Sequence, residues 1–338
     1  MHTFKAKPLS QQAIVITGAT SGIGLATARL AARNGAAVFL VARSRGSLHA
    51  LAHELAATGV RTGYAVADVG DEAEVTAASE AAIQRLGSYD TWVNCAGVSI
   101  YGPAWKVPLD EQLRLFSTNY WGTVVGSLIA VAHFRQRGGT LINVGSELSD
   151  VPLQLQSAYV ASKHAVKGFT NSLRLDLQSE AAPVNVCLIK PAGTDTLFVE
   201  HARKHTSFNP KLPPPVYAPE VVARAILHAA EHGTRELFAG GASKGMSVLG
   251  QTLPRAYDLL LRLAGSALQR SPRSEPRGPD GLDAADDNPR TRSGRNGRVV
   301  EHSLYTFVTR KPTLAIGAAV LAAMVVSAIA FRHGKAPD

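Results

Sequence analysis

The feature that most constrains this chain is a regular alternation between short apolar runs and longer amphipathic segments, beginning at Ala13. Segments with apolar residues at helical spacing separate the apolar runs from one another. Runs that are apolar throughout are typical of strands buried on both faces of a parallel sheet. The pattern therefore predicts an α/β fold, a doubly wound parallel sheet of about seven strands ending near Gly240. The seven runs are AIVIT, AAVFLVA, RTGYAVA, DTWVN, GTLINVG, VNVCLIK and RELFAG.

Charge and cysteine content exclude several kinds of protein. The net charge is +9, from 35 Lys and Arg against 26 Asp and Glu, but the basic residues are spread along the chain. A nucleic-acid-binding surface is therefore not expected. Two cysteines, Cys95 and Cys187, are too few for a disulfide scaffold or a four-thiolate zinc site, and no metal site is predicted. Both lie in strand-like runs, which predicts that they are buried in the core.

The ends of the chain predict its organisation and location. Residues 1–12 lack the apolar run of a signal peptide, so the domain over 10–245 is expected to stay in a reducing compartment. Residues 246–270 carry apolar residues at helical spacing and predict an extension that caps the domain or lies on a membrane. Residues 271–311 are rich in Pro, Gly, Arg and Asp and predict a disordered linker.

Residues 312–332 predict a transmembrane anchor. They include an uncharged run of 19 residues, TLAIGAAVLAAMVVSAIAF. A helix of that length is about 28 Å long, close to the thickness of a bilayer core. A core helix packed on the domain is the alternative, but the linker predicted before it favours the anchor. Cations flank both ends, so the positive-inside rule barely decides its orientation.

A glycine-rich turn, TGATSGIG, stands where the first predicted strand gives way to a helix. Glycine permits unusual dihedral angles there and lets the backbone approach a pyrophosphate closely. The N-terminus of the following helix offers free N–H groups and a favourable dipole. The turn therefore predicts a dinucleotide site. Its predicted contacts are Gly18, Ser21, Gly22, Ile23 and Gly24.

The end of the second predicted strand bears on the choice of dinucleotide. Chains that bind NAD(H) usually carry an acidic residue at this position, which holds both hydroxyls of the adenosine ribose. This chain has Arg43, with Arg45 nearby. A guanidinium pairs well with a phosphate through two hydrogen bonds. The sequence therefore predicts NADP(H) as the cofactor, with NAD(H) as the alternative.

Polar residues further along the chain predict acid–base chemistry. Tyr159 and Lys163, in YVASK, are four residues apart in a predicted helix and so lie on one face. A nearby ammonium stabilises a phenolate and lowers the pKa of the tyrosine. Ser146 follows a predicted strand, at the sheet edge where ligands bind in α/β proteins. Asn119 falls inside a long predicted helix, where an amide is unfavourable without a specific role.

Taken together, these motifs resemble the short-chain dehydrogenase/reductase family over about residues 10–240. The elements TGATSGIG, NCAG, Asn119, Ser146, YVASK and PAGTDT occur in the family's order and spacing. The resemblance implies a Rossmann-type fold and an oxidoreductase that interconverts an alcohol and a ketone or aldehyde with NADP(H). Two positions depart from the family's pattern: Cys95 stands where a second Asn is usual, and Ala192 where Gly is usual.

The resemblance also implies a role for each matching residue. Tyr159 would exchange a proton with the substrate oxygen, and Ser146 would orient that oxygen. Lys163 would lower the Tyr159 pKa and hold the nicotinamide ribose, while Asn119 would support a water leading to Lys163. The further implied cofactor contacts are Asp68 beside the adenine, Asn94, which would also steady the central sheet, Tyr159, and Thr194 and Thr196 at the nicotinamide end.

The substrate is the least defined part of the site. Residues 196–220 match the family's mobile lid, and Phe198, Phe208 and Tyr217 offer apolar contacts. A small hydrophobic carbonyl or alcohol is therefore predicted. A non-catalytic cofactor-sensing or interaction protein on the same scaffold is the alternative. The resemblance also implies a homodimer or homotetramer, and the anchor predicts a catalytic domain held at the membrane on its cytoplasmic side.

Overall fold

A computed structural model describes residues 4–272, 280–287, 289–295 and 297–310. Its centre is one parallel sheet of seven strands, which confirms the predicted doubly wound architecture. The strands are β1 (Ala13–Thr17), β2 (Ala37–Ala42), β3 (Thr62–Val66), β4 (Thr91–Asn94), β5 (Gly139–Val144), β6 (Val184–Pro191) and β7 (Glu236–Ala239). Their order across the sheet is β7-β6-β5-β4-β1-β2-β3, so the order reverses between β1 and β4.

Helices connect the strands and cover both faces of the sheet. The helices are α1 (Gly22–Arg33), α2 (Arg45–Ala56), α3 (Glu72–Leu86), α4 (Leu109–Phe116), α5 (Gly122–Arg137), α6 (Ser157–Ser179), α7 (Pro219–His232), α8 (Gly241–Thr252), α9 (Pro254–Leu260), α10 (Ser266–Leu268) and α11 (Leu304–Arg310). A π-helical turn, Ser117–Trp121, joins α4 to α5, and another, Leu261–Gly265, joins α9 to α10.

Alternate side chains of each strand enter two separate cores. Ile14 and Ile16 of β1 pack in one cluster with residues of α1, α2 and α7. Val15, between them, packs on the opposite face with residues of α3, α5 and α6. Because β1 is buried on both faces, both sets of its alternate positions are apolar, which explains the apolar run at this strand.

The C-terminal segment differs from the sequence-based expectation. Residues 280–287, 289–295 and 297–310 pack against the domain, so the prediction of a disordered linker over 271–311 is wrong for them. Val299–Val300 pair in parallel with Val216–Tyr217, and Leu282 has no exposed surface. The prediction failed because this segment is held by ion pairs and backbone hydrogen bonds, which a low apolar content does not reveal.

The predicted transmembrane run, 312–332, lies outside the described residues. Among the residues the structure describes, one helical stretch, Leu109–Arg137, is long and apolar enough to cross a membrane. That stretch is α4 to α5, which is just over half buried and carries Asn119 toward the carboxyl edge of the sheet. It is therefore a core helix of the domain. Core helices of soluble proteins can also be long and apolar enough to cross a membrane.

Candidate active site

The glycine turn brings three pieces of backbone into close contact after β1. Gly18 has φ +66°, and a Cβ there would lie 2.8 Å from the Cα of Ala96. A Cβ on Gly24 would lie 2.1 Å from the carbonyl oxygen of Gly18. A side chain at either position would push the turn apart. The first turn of α1 therefore faces the carboxyl edge with its N–H groups uncovered by side chains, as a pyrophosphate site requires.

A cleft of about 190 Å³ begins at this turn and runs along the carboxyl ends of β1, β2 and β4. Ser21, Ile23, Arg43 and Asp68 line it, as the sequence predicts for cofactor contacts. Asp68 accepts hydrogen bonds from the Gly70 N–H at 2.9 Å and from the Arg114 guanidinium. Cys95 is partly buried: it packs against the core, as predicted, but it also lines the cleft, whereas Cys187 is fully buried in the core.

Asn94 lies behind the cleft, inside the sheet. Its amide nitrogen donates to the Asn143 side chain at 2.9 Å and to the Thr123 carbonyl at 3.2 Å. Its oxygen accepts from the Trp92 indole at 2.8 Å. These bonds join β4 to β5 and α5, which fits the predicted structural role. Asn94 is not among the residues that line the cleft, so it would act on the cofactor only through the backbone that follows it.

The π-helical turn explains why an amide stands in the long helix. Asn119 lies in this turn and has no exposed surface. Its oxygen accepts from the Val98 N–H at 2.8 Å, and its nitrogen donates to the Val98 carbonyl at 3.0 Å and to Ser162 at 3.1 Å. The extra residue of the turn aims the side chain at the loop after β4. The prediction of one long helix containing Asn119 missed this turn.

Ser146 and Tyr159 meet at the carboxyl end of β5. Ser146 caps the short helical turn Glu147–Ser149, and both Ser146 and Tyr159 line one pocket. Burial raises the pKa of Tyr159 above its ordinary value, against the lowering effect of Ser146. The protein frame therefore keeps the phenol protonated, in the state that can donate a proton.

Lys163 lies one helical turn from Tyr159, as its spacing predicts. Its Nζ is 5.7 Å from the centre of the Tyr159 ring and donates to the Val144 carbonyl at 3.0 Å. Burial lowers the pKa of Lys163 to about 8. A Cβ on Gly97 would lie 3.7 Å from this Nζ and 3.5 Å from the Asn119 oxygen. The structure thus places Ser146, Tyr159 and Lys163 around a cavity next to the cleft, with Asn119 buried behind the loop after β4.

This second cavity, of about 130 Å³, is the candidate substrate pocket. Thr194 and Thr196 line it, and Thr196 also lines the cleft. Of the aromatic side chains predicted in the lid, Phe198 lines the pocket, and its ring centre is 5.2 Å from that of Tyr159. Tyr217 instead packs in a separate cluster with Ala218 and Val221, away from the pocket.

Glu147 is a pocket residue that the sequence analysis missed. It follows Ser146 directly in the sequence, and it lines the pocket. Burial raises the pKa of Glu147 to about 7, although a hydrogen bond from the Gly193 N–H opposes the shift. Its carboxylate form raises the pKa of Tyr159. Its position directly after the predicted catalytic Ser146 is the sequence signal that could have identified Glu147.

Ionisation of Glu147 is expected to slow carbonyl reduction as pH rises through about 7. The carboxylate makes Tyr159 a weaker acid and repels the negative charge that develops on the substrate oxygen. We expect kcat/KM to fall about 10-fold across this range, and Glu147→Gln to remove the fall. The measurement is the pH profile of ketone reduction, with Glu54→Gln on the surface as the control. An unchanged profile in Glu147→Gln would assign the ionisation to another group.

The Arg43 guanidinium is hydrogen-bonded to backbone carbonyls of the C-terminal segment. Its guanidinium donates to the carbonyls of Gly281 at 2.6 Å, Ala284 at 3.0 Å and Leu282 at 3.3 Å. The neighbouring Ser44 hydroxyl donates to the Asp287 carboxylate. The predicted ligand of a 2′-phosphate is thus in the cleft, but three backbone oxygens hold it in this structure.

Comparison with known proteins agrees with this geometry. The family model described as short chain dehydrogenase matches residues 12–207. An uncharacterised oxidoreductase of Bacillus subtilis, YxnA, is 42% identical over 332 residues, covering 97% of this chain and 93% of that protein. A 1-deoxy-11-beta-hydroxypentalenate dehydrogenase of Streptomyces arenae is 37% identical over 195 residues, covering 56% and 69%. The similarity to YxnA thus extends through the C-terminal segment.

Solved structures show the same architecture. An alcohol dehydrogenase of the archaeon Thermococcus sibiricus, complexed with 5-hydroxy-NADP, superposes with a TM-score of 0.60 at 25% identity, covering 67% of this chain and 95% of that one. A short-chain dehydrogenase/reductase of Burkholderia phymatum, in complex with NAD, gives 0.65 at 24% identity, covering 82% and 99%. The second likeness shows the fold alone.

Proposed function

Because this chain belongs to the short-chain dehydrogenase family of oxidoreductases, we propose that it interconverts a hydrophobic alcohol and its ketone or aldehyde with NADP(H). The observation that carries the proposal is the meeting of Ser146, Tyr159 and Lys163 beside a cleft that begins at the glycine turn. Gly18 and Gly24 keep the α1 N-terminus clear of side chains, so the residues present fit a dinucleotide.

The chain's own groups supply the proton and the orientation. A bound nicotinamide would supply the hydride, or accept it in the reverse direction. Ser146 would orient the substrate oxygen toward the Tyr159 hydroxyl, which lines the same pocket. In reduction, Tyr159 gives its proton to that oxygen as the carbonyl becomes an alcohol. The buried ammonium of Lys163 then stabilises the phenolate that remains.

Pocket chemistry supports a hydrophobic substrate. The pocket wall is largely apolar, and its charged side chains are Glu147 and Lys163. A substrate carrying its own carboxylate would meet Glu147 at short range in a buried site. A neutral ketone with an apolar body fits this wall best. Its reduction by NADPH, and the oxidation of the matching alcohol by NADP⁺, test the proposal directly.

Arg43 carries the proposed preference for NADP(H). We expect Arg43→Gln to weaken NADPH binding about 10- to 100-fold, because charge-assisted bonds to the 2′-phosphate are lost, with a smaller change for NADH. Titration of the nicotinamide fluorescence of each cofactor measures this. Arg45→Gln removes the same charge two residues away and is the control. Equal losses for both cofactors would contradict a 2′-phosphate contact at Arg43.

We further propose that the enzyme is held at a membrane, with its catalytic domain on the cytoplasmic side. Supporting this, the extension after α8 exposes several large apolar side chains, including Leu253, Leu260 and Leu263, the last 73% exposed. These residues precede the apolar run over 313–331. Sedimentation of the full chain with membranes after alkaline washing, and its release by detergent, test the tether. Recovery in the soluble fraction would contradict it.

A homo-oligomer is also proposed. Trp121 and Leu128 on the π-turn and α5, and Leu175 on α6, are more than half exposed. The family resemblance implies pairing through these helices. Exposed large apolar side chains on two neighbouring helices favour such an interface. The mass of the detergent-solubilised chain by sedimentation would report it.

A further inference from the structure

The C-terminal segment crosses the proposed cofactor cleft. We call residues 280–287 and 289–295 the strap. Strap carbonyls accept from the Arg43 guanidinium, and the Asp287 carboxylate accepts from Ser44. Further along, the Arg290 carbonyl accepts from the Gly22 N–H at 3.0 Å. Strap residues Ala284 and Asp286 also line the cleft.

Several independent contacts hold the strap in place. Arg203 pairs with Asp280 at 2.8 Å and with Asp283 at 2.7 Å. Leu282 is fully buried among apolar residues of the pocket side of the domain. Arg290 pairs with Glu200 at 3.1 Å. The strap is therefore a packed element with its own anchors.

The strap accepts hydrogen bonds from the same groups that would bind a dinucleotide. Gly22 N–H belongs to the first turn of α1, where a pyrophosphate would bind, and Arg43 is the proposed 2′-phosphate ligand. In both places an oxygen of the strap takes the position of a phosphate oxygen. A doubly charged 2′-phosphate would also meet the Asp287 carboxylate on Ser44 and be repelled by it. The strap contacts at Arg43 and a bound NADP(H) thus exclude each other.

We propose that the strap is an autoinhibitory element that competes with NADP(H) and leaves the cleft when the cofactor binds. This inference rests on the proposed function, because it takes the cleft as the dinucleotide site. The apparent affinity for the cofactor is then reduced by the fraction of molecules whose cleft is open. Loss of a strap anchor raises that fraction, and so tightens cofactor binding.

Limited digestion of the full chain by trypsin tests the direction of this coupling. The strap carries cleavage sites at Arg290, Arg292 and Arg295. NADPH is expected to accelerate cleavage at these sites several-fold, because the bound cofactor displaces the strap. Slower cleavage with NADPH would overturn the proposal and show instead that the strap closes over the cofactor. An unchanged rate would overturn it as well.

A variant outside the cleft gives the second readout. Arg203→Gln removes the ion pairs to Asp280 and Asp283, and is expected to tighten NADPH binding about 3- to 10-fold. Arg29→Gln, which removes an ion pair with Glu54 far from the strap, is the control. Unchanged or weaker binding in Arg203→Gln would overturn the strap proposal alone. Failure of both the wild type and Arg203→Gln to bind NADPH would overturn the cofactor assignment together with it.

Discussion

Tyr159→Phe is expected to lower kcat/KM for ketone reduction by about 10²- to 10⁴-fold, the range for loss of a general acid. The substitution removes the pocket hydroxyl and keeps the ring that packs against Phe198. Cofactor affinity should change little, because the loss is of the proton donor. Steady-state kinetics with a neutral ketone, beside a cofactor titration, measures both quantities.

Tyr89→Phe is the matched control for this change. Tyr89 is also a buried tyrosine with a hydrogen-bonded hydroxyl, but it packs in the core against Trp92 and bonds to Ser79. We expect its loss to leave the chemical step unaltered. Activity retained within a few-fold in Tyr159→Phe would remove this tyrosine from the proton transfer.

Lys163→Met is expected to lower kcat/KM by about 10²-fold or more, through loss of the ammonium that supports proton transfer at Tyr159. Methionine keeps most of the buried stem and removes the bond to the Val144 carbonyl. In alcohol oxidation the phenolate is the reactive form. Without the ammonium, the pKa of Tyr159 is higher and its phenolate forms at higher pH. The rise of the oxidation rate with pH should therefore occur at higher pH.

The pH profile separates this role from a merely structural one. Burial lowers the pKa of Lys163 to about 8, so the wild type should lose the ammonium's help above that pH. The profile of Lys163→Met should lack this step. Lys167→Met, one turn further along α6 and bonded to Asp150, is the control. An oxidation profile in Lys163→Met that matches the wild type would contradict the proposed effect on Tyr159.

The sequence predicts the sheet because local pattern and burial agree there. Strands such as β1 and β2 are buried on both faces, so their runs are apolar and their limits are clear. The glycine turn and the i, i+4 pair of Tyr159 and Lys163 are also local, and the structure places them as expected. Long-range contacts were not predictable in this way. The π-turn at Asn119 depends on a bond to Val98, which lies 21 residues away.

The strap shows the same limit most clearly. A segment rich in Asp, Arg, Pro and Gly resembles a disordered linker when it is considered alone. Its order comes from partners far away in sequence: Gly281 is 238 residues from Arg43, and Asp280 is 77 from Arg203. Glu147 is similar, since its raised pKa comes from burial that no local pattern reveals.

Transfer of deuterium from NADPH labelled at the nicotinamide C4 position tests the central claim most directly. The detergent-solubilised full chain would be incubated with a series of neutral hydrophobic ketones, and the alcohols analysed by mass spectrometry. We expect deuterium on the carbinol carbon of at least one product, with the label lost in Tyr159→Phe. Binding of NADPH without transfer to any ketone, or from any labelled alcohol in reverse, would contradict the account and favour a non-catalytic, cofactor-sensing protein.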